Sequence, residues 1–158
     1  MAIAKTLEMH LKDRGVAYRL IPHPPTGSSM ETAESAHVPG DALAKGVVLE
    51  DDAGVLLVVV PSDYHVDLDA LNARLERRLA FVNEDALARL FPDCAPGAVP
   101  PIGAAYALAT VWDPEASLGG QEHVYFEAGD HLSLVRVSGE QFHELMAEAE
   151  RAHISHHI

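Results

Sequence analysis

The feature that most constrains this fold is a pair of apolar segments around one acidic turn. Lys45 to Glu50 and Val55 to Pro61 flank Asp51-Asp52-Ala53-Gly54, and turn residues between two β-prone runs predict a hairpin. The second run, Val55-Leu56-Leu57-Val58-Val59-Val60, has no polar row. Such a strand must be covered on both faces, so the sheet needs material on each side. At 158 residues the chain is long enough to supply it, as one domain over residues 1–158. The same run is far shorter than the roughly 20 residues a membrane span needs.

The remaining pattern interleaves helices and strands. Ile3, Leu7, His10 and Leu11 recur at helical spacing before Gly15, which predicts a helix over 3–14. A strand is expected over 16–21. Ser28 with Glu31 has the form of a capping box, opening a short helix over 29–36. Pro39-Gly40-Asp41 marks a turn. Asp67 and Asn83 are placed to cap helices, the first over 68–78, with a short strand at 79–82 between them. Residues 93–103 are too rich in Pro and Gly for a helix. Strands are expected at 106–113, 123–127 and 132–137. Ser138 with Gln141 then opens a last helix through about 152, and 153–158 is expected to be a frayed tail.

Charge narrows the function classes. The formal net charge is -13, which repels polyanions, and Arg74, Arg77 and Arg78 form the one basic cluster. A broad nucleic-acid-binding face is excluded, so any such contact must be small or helped by a partner. One cysteine, Cys94, leaves no internal disulfide, and with no apolar leader near Lys5 the expected location is the cytoplasm.

Lys45 is one of three lysines, and Lys5 and Lys12 both lie in the first dozen residues. It is either a strand-end lysine whose ammonium reaches water, or a cation facing a pocket that meets a phosphate or developing negative charge. The loop Gly97-Ala98-Val99-Pro100-Pro101-Ile102-Gly103 is either a plain connection or a backbone cradle for a ligand. Phe126-Glu127-Ala128-Gly129-Asp130-His131 is either a solvated hairpin turn or a cleft wall, with His131 binding substrate or moving a proton. Cys94 follows Asp93, which works against a thiolate, so an inert loop thiol is expected. His153, His156 and His157 lack a second ligand group of suitable spacing, and no metal is expected. No P-loop, dinucleotide fingerprint or serine nucleophile elbow occurs.

The order of these features resembles one family. His23-Pro24 after the first strand, Ala44-Lys45 opening the next, a Gly-x-x-x-Pro-x-Gly loop and the late Ala128-Gly129 turn are similar to the YbaK and prolyl-tRNA-synthetase-associated domains. These are bacterial editing domains that deacylate mischarged tRNA, and the resemblance runs from about residue 3 to 150. It implies a mixed α/β (α+β) domain with a barrel-like curved sheet flanked by helices. It implies Lys45, Gly97 and Gly103 as catalytic positions, and His23, Pro24, Ala98, Val99, Pro101, Gly129 and His131 around the substrate. Ala98 and Pro100 depart from the glycine and serine of many relatives, and Gly46 from the asparagine of some alanine-editing members.

The implied activity is trans-editing hydrolysis of the ester of a mischarged tRNA, with prolyl-acceptor tRNA as the leading substrate. The partner is then the aminoacylated acceptor end, with a synthetase as a possible helper, and without cofactor, membrane or DNA. Two alternatives stay open. One is a non-catalytic aminoacyl- or nucleotide-binding module that acts as a regulator or synthetase accessory. The other is a hydrolase of a different small ester or amide using Cys94 or His131.

Overall fold

The computed structural model describes residues 3–158. The chain begins with α1 (Lys5–Asp13), β1 (Arg19–Pro22) and α2 (Ser29–Ser35), then the long hairpin β2 (Ala44–Asp51) and β3 (Gly54–Pro61). It continues through β4 (Tyr64–Val66), α3 (Leu68–Leu75), β5 (Ala80–Phe81), α4 (Glu84–Leu90) and β6 (Ala109–Trp112). The last elements are β7 (His123–Glu127), β8 (Ser133–Ser138), α5 (Gly139–Leu145), β9 (Glu150–Arg151) and β10 (Ser155–His157). Single 3-10 turns lie at Gly40–Ala42, Gly103–Tyr106 and Ser117–Gly120.

The hairpin is the spine. β2 and β3 pair antiparallel from Ala44 opposite Pro61 to Asp51 opposite Gly54, and Arg77 grips Asp51 at the turn through two bonds of 2.8 and 2.6 Å. As the unbroken apolar run requires, β3 is covered twice. Leu57 and Val59 join the main core with Leu7, Leu11, Trp112, Phe126 and Phe142. Leu56, Val58 and Val60 pack on the other side against Leu71, Leu79 and Ile154. Parallel pairing to β6 on one side and antiparallel pairing to β2 on the other makes a mixed five-stranded sheet, in the order β5-β2-β3-β6-β9.

β1, β8 and β7 form a second, antiparallel sheet, and β10 pairs with β4. The first two sheets touch through one parallel bridge, Leu43 to Tyr125. The mixed α/β architecture flanked by helices is therefore as expected, but the strands do not close into a barrel. That bridge brings the head of β2, and so Lys45, beside the end of β7.

Capping chemistry sets the helix starts. Ser28, Asp67, Asn83 and Ser138 each accept the backbone N–H three residues on. Glu31 reaches back to the N–H of Gly27 at 2.8 Å, one residue before the cap.

Two expectations for the C-terminal region are overturned. The last helix stops at Leu145 rather than running to 152. Glu150–Arg151 instead pairs parallel with β6, which carries Ala152 and Ile154 into the second core cluster. Residues 155–157, read as part of a frayed tail, form β10 against β4. The anchor is the fully buried Asp113. Its carboxylate accepts from the amides of Glu115, Ala116 and Ile154 and from the Ser155 hydroxyl, the last at 2.8 Å. A buried carboxylate needs such donors, and the tail supplies two of them. The predicted strand at 16–21 likewise begins only at Arg19, where pairing with Arg136 starts.

Candidate active site

Lys45 opens β2 half-buried, and its ammonium donates to the carbonyl of Ser62 just past the end of β3, at 3.3 Å. Burial pulls its pKa below the ordinary lysine value, and the nearby Asp63 carboxylate works in the opposite direction. The Ser62 side that holds it is itself fixed: the Ser62 hydroxyl donates to Gly40 at 2.7 Å and its amide to Leu43 at 2.7 Å.

A cleft of about 250 Å³ opens here. Its lining includes Ser29 from α2, Lys45, Gly46 and Val48 from β2, Leu87 from α4, Gly97 and Val99 from the loop, and Glu127 from β7. It adjoins a hollow of about 390 Å³ between α4 and the loop, which shares Leu87, Gly97 and Val99. The glycine at 97 has φ +80, a left-handed conformation open to glycine. A side chain there would also meet the His131 ring at 3.9 Å.

The rest of the Gly-rich loop does not reach the cleft as a unit. Ala98 is fully buried, and its amide is already bonded to Ala95 at 3.1 Å. Pro101 is buried behind β2, its Cα 3.4 Å from where a Gly46 side chain would begin. Gly103 faces away: it lines a separate hollow of about 270 Å³ with Arg14, Leu145 and Met146. Gly129, at φ +108, is a packing position, because a Cβ there would lie 2.5 Å from Ala4 and 3.3 Å from the Cys94 sulfur. Its carbonyl receives the Ala95 amide at 2.7 Å, which pins the loop to the end of β7. Pro24 is exposed, and its carbonyl holds the Nδ1 of His23 at 2.8 Å.

His23 and His131 meet in space through a residue that the sequence reading did not single out. Glu127 presents Oε1 to Nε2 of His23 at 3.1 Å and Oε2 to Nδ1 of His131 at 3.2 Å. The His131 Nε2 donates to the Thr26 carbonyl at 2.7 Å. The two rings stand edge to face at 5.7 Å. Burial raises the Glu127 pKa against the pull of both histidines. Its sequence signal was a carboxylate ending an apolar strand, four residues before His131.

The setting of Cys94 works against a thiolate. Burial pushes its thiol up to about 11, and Asp93 adds to the rise while a bond from Tyr106 opposes it. Its neighbours are the Tyr106 hydroxyl at 3.3 Å and Asp93. Among the described residues no helix is long and apolar enough to cross a membrane.

Comparison with known proteins agrees with the architecture. The fold matches the crystal structure of the hypothetical protein APE2540 with TM-score 0.81 and 23% identity, covering 96% of this chain and 100% of that one. It matches a candidate trans-editing enzyme for prolyl tRNA synthetase with TM-score 0.81 and 22% identity, covering 97% and 96% of the two chains. A candidate signal transduction protein from Marinobacter aquaeolei VT8 contains the same fold within a longer chain (TM-score 0.74, 23% identity, 95% of this chain and 30% of that one). At these identities the likeness is one of fold. No curated protein sequence matches the chain. The profile of the aminoacyl-tRNA editing domain matches residues 23–145, a span that holds Lys45, the Gly97 loop, Glu127 and both histidines. The chain belongs to the aminoacyl-tRNA editing domain family.

Proposed function

We propose that the Lys45 cleft hydrolyses the ester bond of mischarged aminoacyl-tRNA in trans, with prolyl-acceptor tRNA as the leading substrate. The observation that carries this reading is the meeting of Lys45, Gly97 and Glu127 on one small, largely apolar cleft within a chain of the editing family. Its volume suits an aminoacyl group rather than a larger ligand. Leu43, Val48, Leu87 and Val99 favour a small apolar side chain. The fold neighbour named as a candidate trans-editing enzyme for prolyl tRNA synthetase supports the choice of acceptor.

The chemistry needs little machinery, because an aminoacyl ester is already activated. Lys45 uses one donor on Ser62 and keeps two for the anionic acceptor end, acting as an electrostatic clamp. Gly97, with no side chain, lets backbone approach the carbonyl as it gains charge. Water or a ribose hydroxyl attacks, so no protein nucleophile is required. A net charge of -13 fits a protein that grips only the acceptor terminus, with a synthetase or another tRNA-binding partner supplying further affinity. Among the family positions, Gly103, Ala98 and Gly129 serve this site by holding the loop and β7 in place.

The test is a panel of correctly and incorrectly charged tRNAs incubated with the purified protein. Faster ester loss from a mischarged prolyl-acceptor tRNA than from its correctly charged form supports the proposal. Equal half-lives with and without protein across the panel would refute it.

A further inference from the structure

We propose that His23, Glu127 and His131 form a binding site for one divalent transition-metal ion, of the zinc class, at the edge of the cleft. Proton arithmetic at the three side chains points to the ion, independently of the editing reaction. A neutral imidazole has one N–H and one lone pair. His23 commits its Nδ1 proton to the Pro24 carbonyl at 2.8 Å, and His131 commits its Nε2 proton to the Thr26 carbonyl at 2.7 Å. A carbonyl can only accept, so both assignments are forced. The remaining nitrogens then aim lone pairs at the two oxygens of a single carboxylate, at 3.1 and 3.2 Å. Acceptors that face acceptors need a positive centre between them, which is either two extra protons or one divalent ion.

Three features favour the ion. The donor set of two histidines and one glutamate is a zinc set, which leaves a fourth position open when the carboxylate binds through one oxygen. Its ligand atoms lie within 4.8 Å of one another. Each ring nitrogen stands from its own carboxylate oxygen, His23 from Oε1 at 3.1 Å and His131 from Oε2 at 3.2 Å, by close to the ligand-to-ligand edge of about 3.3 Å that bonds of about 2.0–2.1 Å give a tetrahedron. Each ring also donates its other N–H to a backbone carbonyl, the outer-shell arrangement that orients metal-binding histidines. The loop His23-Pro24-Pro25-Thr26 thus supplies one ligand and both orienting carbonyls.

The site is also built. The His23 side chain is 0% exposed, Glu127 10% and His131 17%. His131 is held at φ +59, a left-handed conformation that costs a non-glycine residue free energy and aims its ring inward. Because Glu127 also lines the cleft, an ion here stands at the cleft wall. A second carboxylate–histidine group, Asp113, Glu115 and His153, differs: the Asp113 oxygens are already taken by amide and hydroxyl donors.

The experiment uses chelator-treated full-length protein in which His156 and His157 are both replaced by alanine, removing exposed imidazoles that would take up zinc at the surface. Titration with Zn2+ should show one equivalent bound, and Co2+ should give the intense visible bands of a four-coordinate site. His23→Ala and the isosteric Glu127→Gln should each weaken binding at least tenfold, with circular dichroism confirming that both fold. Absence of metal uptake by the folded parent overturns the proposal. So does uptake that neither substitution alters. Ester hydrolysis is not the readout, so failure here leaves the editing proposal to its own test.

Discussion

Gly103 sits against Thr110 so closely that a methyl group at 103 would overlap the threonine hydroxyl and lie 3.0 Å from the Leu108 carbonyl. The glycine closes the loop onto β6, and it lines a hollow other than the Lys45 cleft. That geometry gives it a packing requirement. Gly103→Ala is therefore expected to destabilise the fold by about 1–3 kcal/mol through overpacking, read as a lower urea midpoint. At a temperature where the variant is fully folded, its deacylation rate should stay within a few-fold of wild type. A hundredfold loss of rate at unchanged stability would instead place Gly103 in the reaction.

Cys94 gives a prediction in pH. Its thiol pKa is raised to about 11, chiefly by burial, and the thiolate is the form that alkylates. Labelling by iodoacetamide should be slow at pH 8 and rise about tenfold per pH unit toward pH 10. A rate that levels off below pH 9 would contradict the burial argument. Cys94→Ser should keep its editing activity.

Asp113 predicts the acid side of the stability profile. Burial opposes its charge, but bonds from Ser155, Ala116, His153 and Ile154 outweigh that and hold the pKa below the ordinary aspartate value. A depressed carboxylate contributes stability that is present above the unfolded pKa and is lost as pH falls through the folded one. Asp113→Ala should therefore cost most near neutral pH, about 3 kcal/mol or more given the buried donors it strands. The cost should shrink as pH falls from the unfolded carboxylate range, about 3.9, through the lower folded value. Hydrogen exchange should show Ser155–His157 losing protection first, since the carboxylate holds that strand. Equal exchange in wild type and variant would show that β10 is anchored elsewhere.

Much of the fold is legible from local chemistry. The polar-free run at 55–60 announced a strand buried on both sides, and it is. Ser28, Asp67, Asn83 and Ser138 announced helix starts because a cap is a contact between near neighbours. The misread parts depend on distant partners. Residues 146–152 carry helix formers, yet their fate is set by the open edge of β6. The tail is ordered by Asp113, some 42 residues away from Ser155. The site divides in the same way. Lys45 and Gly97 stand out by isolation and by loop composition. Glu127 ends an apolar strand and acquires meaning only when His23, 104 residues away, folds against it.

On the proposed reading, Lys45 works on the substrate from a position the fold does not need. Its ammonium makes one bond, to Ser62, so Lys45→Ala should leave the melting temperature within a few degrees of wild type. The direct measurement is the single-turnover rate of ester hydrolysis on a mischarged prolyl-acceptor tRNA, comparing wild type with Lys45→Ala at saturating protein. Loss of one electrostatic donor should slow the reaction about 100-fold or more. A Lys45→Ala protein that is folded and hydrolyses the ester at the wild-type rate would contradict the account.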